Sequence, residues 1–378
     1  MQILNLLWGV PYGGIGRCFY AYDRLNHKPD LHLSNACIVT EKVRQKHATI
    51  LSRTQKDLRA RIISISGYHD LSWIKAVKEL VKSSRPDILF VHGFNGPIVA
   101  SACQRIYNIN LPFVCSYHGR YHPPTPGKSL LAPVYNHLME RVYRRHAAGV
   151  VTVCSYCKDY LLKRGISEDK ITVIHNGIPD TPDQTVGLTR QQIGLTKDDF
   201  VLGTISRLDP VKGLPHLIDA FAGISQKLPH AKLVLVGDGP YKNQLKARCK
   251  ELGVAHAVLF MGYQSNTDAW LNLFDVFVLP SLHEYHSIGL LEAMRAGLPI
   301  VASNVGGNTE SVRHEKEALI VPPADPKILA TALMRMINEP DLRERLSKAT
   351  RQRFEIEFTE KIMLEKLADW FHSFEFSK

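Results

Sequence analysis

Thirteen short apolar runs divide this chain, and amphipathic segments fill most of the intervals between them. Seven runs come early: Ile3–Val10, Leu31–Val39, Arg61–Ser66, Asp87–Gly93, Phe113–Gly119, Gly149–Ser155 and Ile171–Asn176. A polar stretch, PDTPDQTVGLTRQQIGLTKD over 179–198, interrupts the series. Six more follow: Phe200–Ser206, Lys232–Gly239, Ala257–Tyr263, Val276–Ser281, Pro299–Ser303 and Ala318–Pro323. Continuous apolar strands alternating with helices such as Tyr241–Gly253 and Pro326–Pro340 require a parallel sheet covered on both faces. Two such series predict an α/β chain of two doubly wound, Rossmann-like domains, 1–178 and 195–357. The tail 358–378 contains LEKLADWFHSF, apolar at helical spacing, and is expected to pack back on the first domain. In this class ligands sit beyond the carboxyl ends of the strands, so a cleft between the domains is the expected site.

Charge separates the halves. Residues 1–178 hold 24 Lys+Arg against 11 Asp+Glu, a net of +13, and residues 179–378 hold 23 against 25, a net of −2. The excess predicts an anionic partner for the first half: a membrane surface, an acidic polymer or a nucleic acid. Ordinary solubility charge is the plainer alternative. Seven cysteines at irregular spacing, with one C-x-x-C at Cys154 and Cys157, lack a second pair for a zinc site and fit a reducing cytosol. The opening MQILNLLWGV reads as a first strand, not a signal peptide, and no stretch reaches the roughly 18 apolar residues of a membrane span. A cytoplasmic protein is expected, with peripheral contact to the membrane as its one further address.

Several familiar motifs fail. Gly14-Ile15-Gly16-Arg17-Cys18-Phe19 breaks the dinucleotide fingerprint at its third glycine. Gly127-Lys128-Ser129 ends like a Walker A loop, but the earlier glycine falls at His122. No Asp-x-Asp pair offers a metal–diphosphate site, and nucleic-acid signatures are absent.

One constellation holds. SRLDPVKG places Arg207 and Lys212 in a loop after a strand and before a helix, where two cations suit a diphosphate. EYHSIGLLE then carries Glu284 and Glu292 around a helix start expected at Ser287, a good N-cap. The amides of Ile288, Gly289 and Leu290 would face an anion there. The two carboxylates admit three uses: a catalytic pair, a metal pair, or a cap with a solvated face. Paired hydroxyls on a sugar and on a ribose are the partners that make sense of carboxylates beside a diphosphate.

In the order SRLDPVKG, LVLVGDGP, FMGY, VFVLPSLHEYHSIGLLEAMRAGLPIVAS, GG and LIVPPADP, with VIHNGI and PYGGIGR upstream, the chain resembles the retaining glycosyltransferases of family 4, of GT-B fold. The resemblance implies that Arg207 and Lys212 bind the donor diphosphate, Glu292 the ribose, and Glu284 the transferred sugar. It implies that Gly13 and Gly14 admit the donor to the first domain, that His118 in CSYHGRY contacts the sugar near its reacting carbon, and that Tyr263 lies beside the base. Arg207, Lys212, Glu284 and His118 would form the catalytic set. Ile288, Gly289 and Leu290 would complete donor binding. No metal and no cofactor is expected. Where family members often carry Gly-Phe-Gly after the first Glu, this chain has Tyr285-His286-Ser287, a change beside the donor sugar. His286 would either touch the donor or pack.

The expected reaction is transfer of a hexose from a UDP- or GDP-sugar to a lipid-linked glycan of lipopolysaccharide, capsule or exopolysaccharide. Basic amphipathic segments at 41–61 and 127–147 would meet an anionic membrane. A soluble sugar or small-metabolite acceptor, and a non-catalytic sugar-nucleotide-binding or assembly role, are the alternatives; no nucleic-acid partner is expected.

Overall fold

The computed structural model describes residues 1–67, 70–93, 95–107, 111–120, 132–181 and 187–374. The chain divides into two compact units, Met1–Asn176 with Lys361–Lys378, and Gly177–Glu360. The first carries a seven-stranded sheet: β1 (Gln2–Trp8), β2 (His32–Thr40), β3 (Arg61–Ile65), β4 (Ile88–His92), β5 (Phe113–Tyr117), β6 (Gly149–Thr152) and β7 (Ile171–Val173). Their order is β3-β2-β1-β4-β5-β6-β7, all parallel. The second carries β8 (Phe200–Ile205), β9 (Ala231–Val236), β10 (Val258–Gly262), β11 (Val276–Leu279), β12 (Ile300–Ser303) and β13 (Ala318–Val321), in the order β10-β9-β8-β11-β12-β13, again parallel. Each of the thirteen apolar runs overlaps one of these strands.

The order reverses between β1 and β4 in one sheet and between β8 and β11 in the other. The loops after those strands therefore lie where open parallel sheets bind ligands. β4 and β5 are buried at every position, as a strand covered by helices on both faces must be. The helix Glu360–His372 adds Met363, Leu367, Ala368, Trp370 and Phe371 to the first unit's core, beside Ile3, Leu25 and Phe90. Residues 375–378 of the expected tail lie outside the described residues.

The unit boundaries fall at 176/177 and 360/361, against the expected 178 and 358. The reason is local. Ile178 and Phe358 are both buried in the second unit's core, and Ile178 N donates to Phe358 O at 3.2 Å while Glu360 N donates to Ile178 O at 2.8 Å. Leu195 joins the same core, with Leu188 and Ile193 against it, so part of the polar stretch before 195 also belongs to the second unit. The basic segment 41–61 is two helices, Glu41–Lys46 and Ala48–Leu58, broken at His47, and its last residue Arg61 starts β3.

Candidate functional site

The loop after β8 is set by its own chemistry. Asp209 caps a short 3-10 turn, Pro210–Lys212, and accepts from Val211 N at 3.4 Å; a proline at the first position pre-sets that turn. The Arg207 guanidinium, largely exposed, donates to the carboxylate of Asp209. Gly213 then adopts φ +64 and starts the helix Leu214–Lys227. A Cβ on Gly213 would stand 2.0 Å from the Pro280 carbonyl oxygen, so only glycine lets this loop touch the one after β11. Leu282 N donates to Val211 O at 2.8 Å across the same seam.

That contact brings Lys212 and Glu284 together over 72 residues of sequence. Lys212 Nζ donates to Glu284 Oε1 at 2.6 Å, and Ser281 Oγ donates to the same oxygen at 2.7 Å. Glu284 is buried, so its charge needs both partners. The helix Ile288–Arg295 begins where expected, and Ser287 Oγ accepts from Leu290 N at 3.4 Å. The cap thus uses one of the three amides assigned to an anion. Among the described residues the amides of Ile288 and Gly289 make no hydrogen bond and stand at the positive end of the helix. A Cβ on Gly289 would meet Ile205 O at 3.0 Å, which seats the helix start on the end of β8. Two hydroxyls there, Thr204 Oγ1 and Ser206 Oγ, are buried without a hydrogen-bond partner among the described residues.

Glu292 lies one turn further along, 3% exposed, and accepts from Thr267 Oγ1 at 2.8 Å. Gly306 closes the site from behind, φ +49, so near the Glu284 carbonyl that a Cβ would sit 1.7 Å from the oxygen. His286 is buried, 3.2 Å from Ser311 Oγ through Nε2, with its ring 5.5 Å from Phe358. Tyr263, just after β10, is 63% exposed.

The remaining predicted residues belong to the first unit. Gly13 and Gly14 form the first turn of the helix Gly13–Tyr22, and not a loop ahead of it. His118 follows β5 directly, its Nε2 2.7 Å from Ser116 Oγ, and burial pushes its pKa down to about 4. Its imidazole is neutral at pH 7. Sequence reasoning missed Asp209, Thr267 and Ser281. The Asp-Pro pair at 209–210 is a legible cap signal; Thr267 and Ser281 reach the glutamates only through tertiary packing. Cys154 and Cys157 are buried and not joined in a disulfide, with Sγ atoms 3.4 Å apart at the strand-to-helix turn.

Comparison with known proteins decides the family. A glycosyl transferases group 1 model matches residues 187–353, and a glycosyltransferase family 4 model matches residues 40–181. An uncharacterised glycosyltransferase of Methanocaldococcus jannaschii is 30% identical over 302 residues, 75% of this chain and 76% of that protein. The chain is a family 4 glycosyltransferase. A UDP-Gal:α-D-GlcNAc-diphosphoundecaprenol α-1,3-galactosyltransferase of Escherichia coli is 28% identical over 284 residues, 73% of each chain. The solved structure of Anabaena HepE in complex with UDP-glucose superposes with a TM-score of 0.82 at 20% identity, covering 99% of this chain and 100% of that one. The glycosyltransferase shares the GT-B fold with it.

Proposed function

We propose that this glycosyltransferase moves a hexose from a UDP-sugar to a lipid-linked glycan in cell-surface polysaccharide synthesis, with retention at the anomeric carbon and without a metal. One observation carries the donor assignment. A single loop cluster of the second unit joins the cations Arg207 and Lys212, the unbonded amides of Ile288 and Gly289, and two buried carboxylates, Glu284 and Glu292. UDP-glucose in the HepE complex and the UDP-Gal donor in the E. coli relative's name favour uridine over guanosine. The undecaprenol diphosphate in that name supports a lipid-linked acceptor.

In this scheme the bond between the anomeric carbon and the diphosphate oxygen breaks while the acceptor oxygen attacks from the same face. The departing phosphate takes the acceptor's proton. Charge grows on the leaving oxygen, and Arg207, Lys212 and the helix amides stabilise it. Glu292 accepts from the ribose hydroxyls and Glu284 from those of the sugar. His118, neutral, exchanges hydrogen bonds with the sugar and carries no charge to the site.

Calorimetry with UDP and GDP, without metal, tests the donor. UDP is expected to bind at micromolar concentration, and Glu292→Ala to weaken it by about 1–3 kcal/mol through the lost charged hydrogen bonds. Failure of the folded wild type to bind either nucleotide would overturn the assignment.

The membrane partner is supported by the helix Ala132–Arg145. Its inner face buries Met139, Val142 and Tyr143, while Val134 and Leu138 are exposed on the outside with Arg141, Arg144 and Arg145. An exposed apolar pair flanked by arginines suits an anionic bilayer surface. Residues 127–131 of the expected segment, Lys128, Leu130 and Leu131 among them, lie outside the described residues. No helix among the described residues is long and apolar enough to cross a membrane. The protein is expected to sediment with vesicles containing anionic phospholipid and to stay free of neutral ones. Leu138→Ser with Arg141→Ser should release it; equal affinity for both vesicle types would sink the idea.

A further inference from the structure

A chain of buried polar side chains runs beneath the first unit's switch point. Asn5 on β1 and Asn35 on β2 are direct partners across the sheet. Asn35 Nδ2 donates to Asp23 Oδ1 at 2.6 Å and to Leu58 O at 3.4 Å; Asn5 Nδ2 donates to Asn35 Oδ1 at 2.8 Å; Asn5 Oδ1 lies 2.6 Å from His92 Nε2. A carboxylate only accepts, so Asp23 sets the direction of every link. Asn35 must turn its amide nitrogen to Asp23, Asn5 must turn its nitrogen to Asn35, and the Asn5 oxygen must then accept from His92. The proton of His92 is fixed on Nε2.

His92 ends β4 and is 1% exposed. Val91 pairs with Cys115, which puts the next residue of each strand, His92 and Ser116, side by side. The Tyr22 ring stacks on His92 at 5.4 Å and 28°. Ser116 in turn holds His118 Nε2 at 2.7 Å. Phe19 and Phe90 close on His92 edge-on, at 5.9 and 4.1 Å. Nothing in the donor chemistry described above uses His92, Asn5 or Asn35, yet burying three polar side chains at a ligand-binding edge is costly unless each is satisfied in one arrangement.

We propose that His92 is a positioning residue for His118: the Asp23–Asn35–Asn5 relay and the stacked Tyr22 ring fix its tautomer and ring plane, and Ser116, beside it on β5, passes that orientation to His118. Burial keeps the His92 ring neutral, its pKa well below the ordinary value, and the neighbouring His118 adds to that shift. The neutral ring therefore holds one defined donor and one defined acceptor, as orienting histidines elsewhere do. The consequence for catalysis rests on the donor-facing role assigned to His118 above; the orientation itself does not.

The test is long-range proton–nitrogen NMR on the full chain labelled with 15N-histidine, at pH 7.5, with His92→Gln and His118→Gln for assignment. His92 is expected as a single tautomer protonated at Nε2. Asp23→Asn keeps the shape but leaves Asn35 oriented only by its longer bond to Leu58 O, so His92 should gain a share of the second tautomer and the His118 ring signals should shift. Asp23→Asn with Asn35→Asp moves the carboxylate one link along and should restore both rings. A wild-type His92 protonated at Nδ1, or His118 signals unchanged in Asp23→Asn, would overturn the proposal. If Asp23→Asn does not fold, His118 signals unmoved in His92→Gln overturn it equally. UDP calorimetry run on the same samples separates the two ideas: absent UDP binding removes the donor assignment and leaves the tautomer result to decide the relay.

Discussion

Lys212→Ala is expected to slow turnover of a UDP-sugar by roughly 100- to 1,000-fold, about 2.7–4 kcal/mol of transition-state stabilisation, with a much smaller change in UDP affinity. Lys212 is the cation most tightly placed. Its side chain is 22% exposed and bonded at 2.6 Å to Glu284, whereas Arg207 is 62% exposed and, among the described residues, tied only to its neighbour Asp209. Charge held in a partly dry site acts more strongly on a developing oxyanion than charge in water. Arg207→Ala should therefore cost less. The substitution also leaves Glu284 buried beside Ser281 without the cation that balances its charge, so stability must be measured beside rate. Glu284→Gln separates the two effects: it relieves the buried charge, keeps Lys212, and should retain diphosphate affinity while losing turnover. A loss below about fivefold in Lys212→Ala at saturating donor, in a protein of normal melting temperature, would remove Lys212 from the catalytic set.

What the sequence disclosed and what it withheld follow from range. The thirteen strands were legible because a parallel strand covered on both faces must be apolar throughout, a signal complete within five or six residues. Ser287 was legible as a cap for the same reason, since the cap bond to Leu290 spans three residues. The amide expected of Leu290 was lost to that cap, a competition that only geometry exposes. The partners of the two glutamates were not legible. Lys212 meets Glu284 across 72 residues and Thr267 meets Glu292 across 25, and neither spacing repeats a local period. The relay is more distant still, with His92 meeting Asn5 across 87 residues. Asn5 and Asn35 stand as polar breaks inside otherwise apolar runs, and that was the available sign: two buried strands do not carry facing asparagines without a bond between them. Boundaries slipped by two and three residues because Ile178 and Phe358, apolar at the edge of polar segments, pair with each other. The helix pattern over 41–61 ran through His47, where the backbone breaks into two helices.

Gly306→Ala should be nearly as damaging as loss of Lys212, although residue 306 has no side chain to contribute. At φ +49 an alanine pays about 1–2 kcal/mol for the left-handed backbone alone. Its Cβ would also stand 1.7 Å from the Glu284 carbonyl oxygen and 2.8 Å from the carbonyl carbon. An ordinary contact is nearly twice that first distance, so the 284 segment must retreat by more than an ångström or the loop after β12 must unfold. Either motion pulls the Glu284 carboxylate off Lys212 and off the sugar it is proposed to hold. Misplacement of about 1 Å at a reacting centre costs roughly a hundredfold. The expected result is a turnover loss of that order, with UDP binding weakened less, because the amides of Ile288 and Gly289 and the Glu292 carboxylate do not rest on Gly306. Gly223→Ala is the matched control. Gly223 is exposed in the middle of the helix Leu214–Lys227, and nothing lies within 4 Å of an added Cβ. Alanine there should raise stability by about 0.5–1 kcal/mol and leave turnover alone. Thermal melts and UDP release, read on both variants, distinguish a general intolerance of added methyl groups from the specific one argued for position 306. Turnover within threefold of wild type in Gly306→Ala would mean that the Glu284 carbonyl is free to move, and that the carboxylate it carries is not held in place by the backbone behind it.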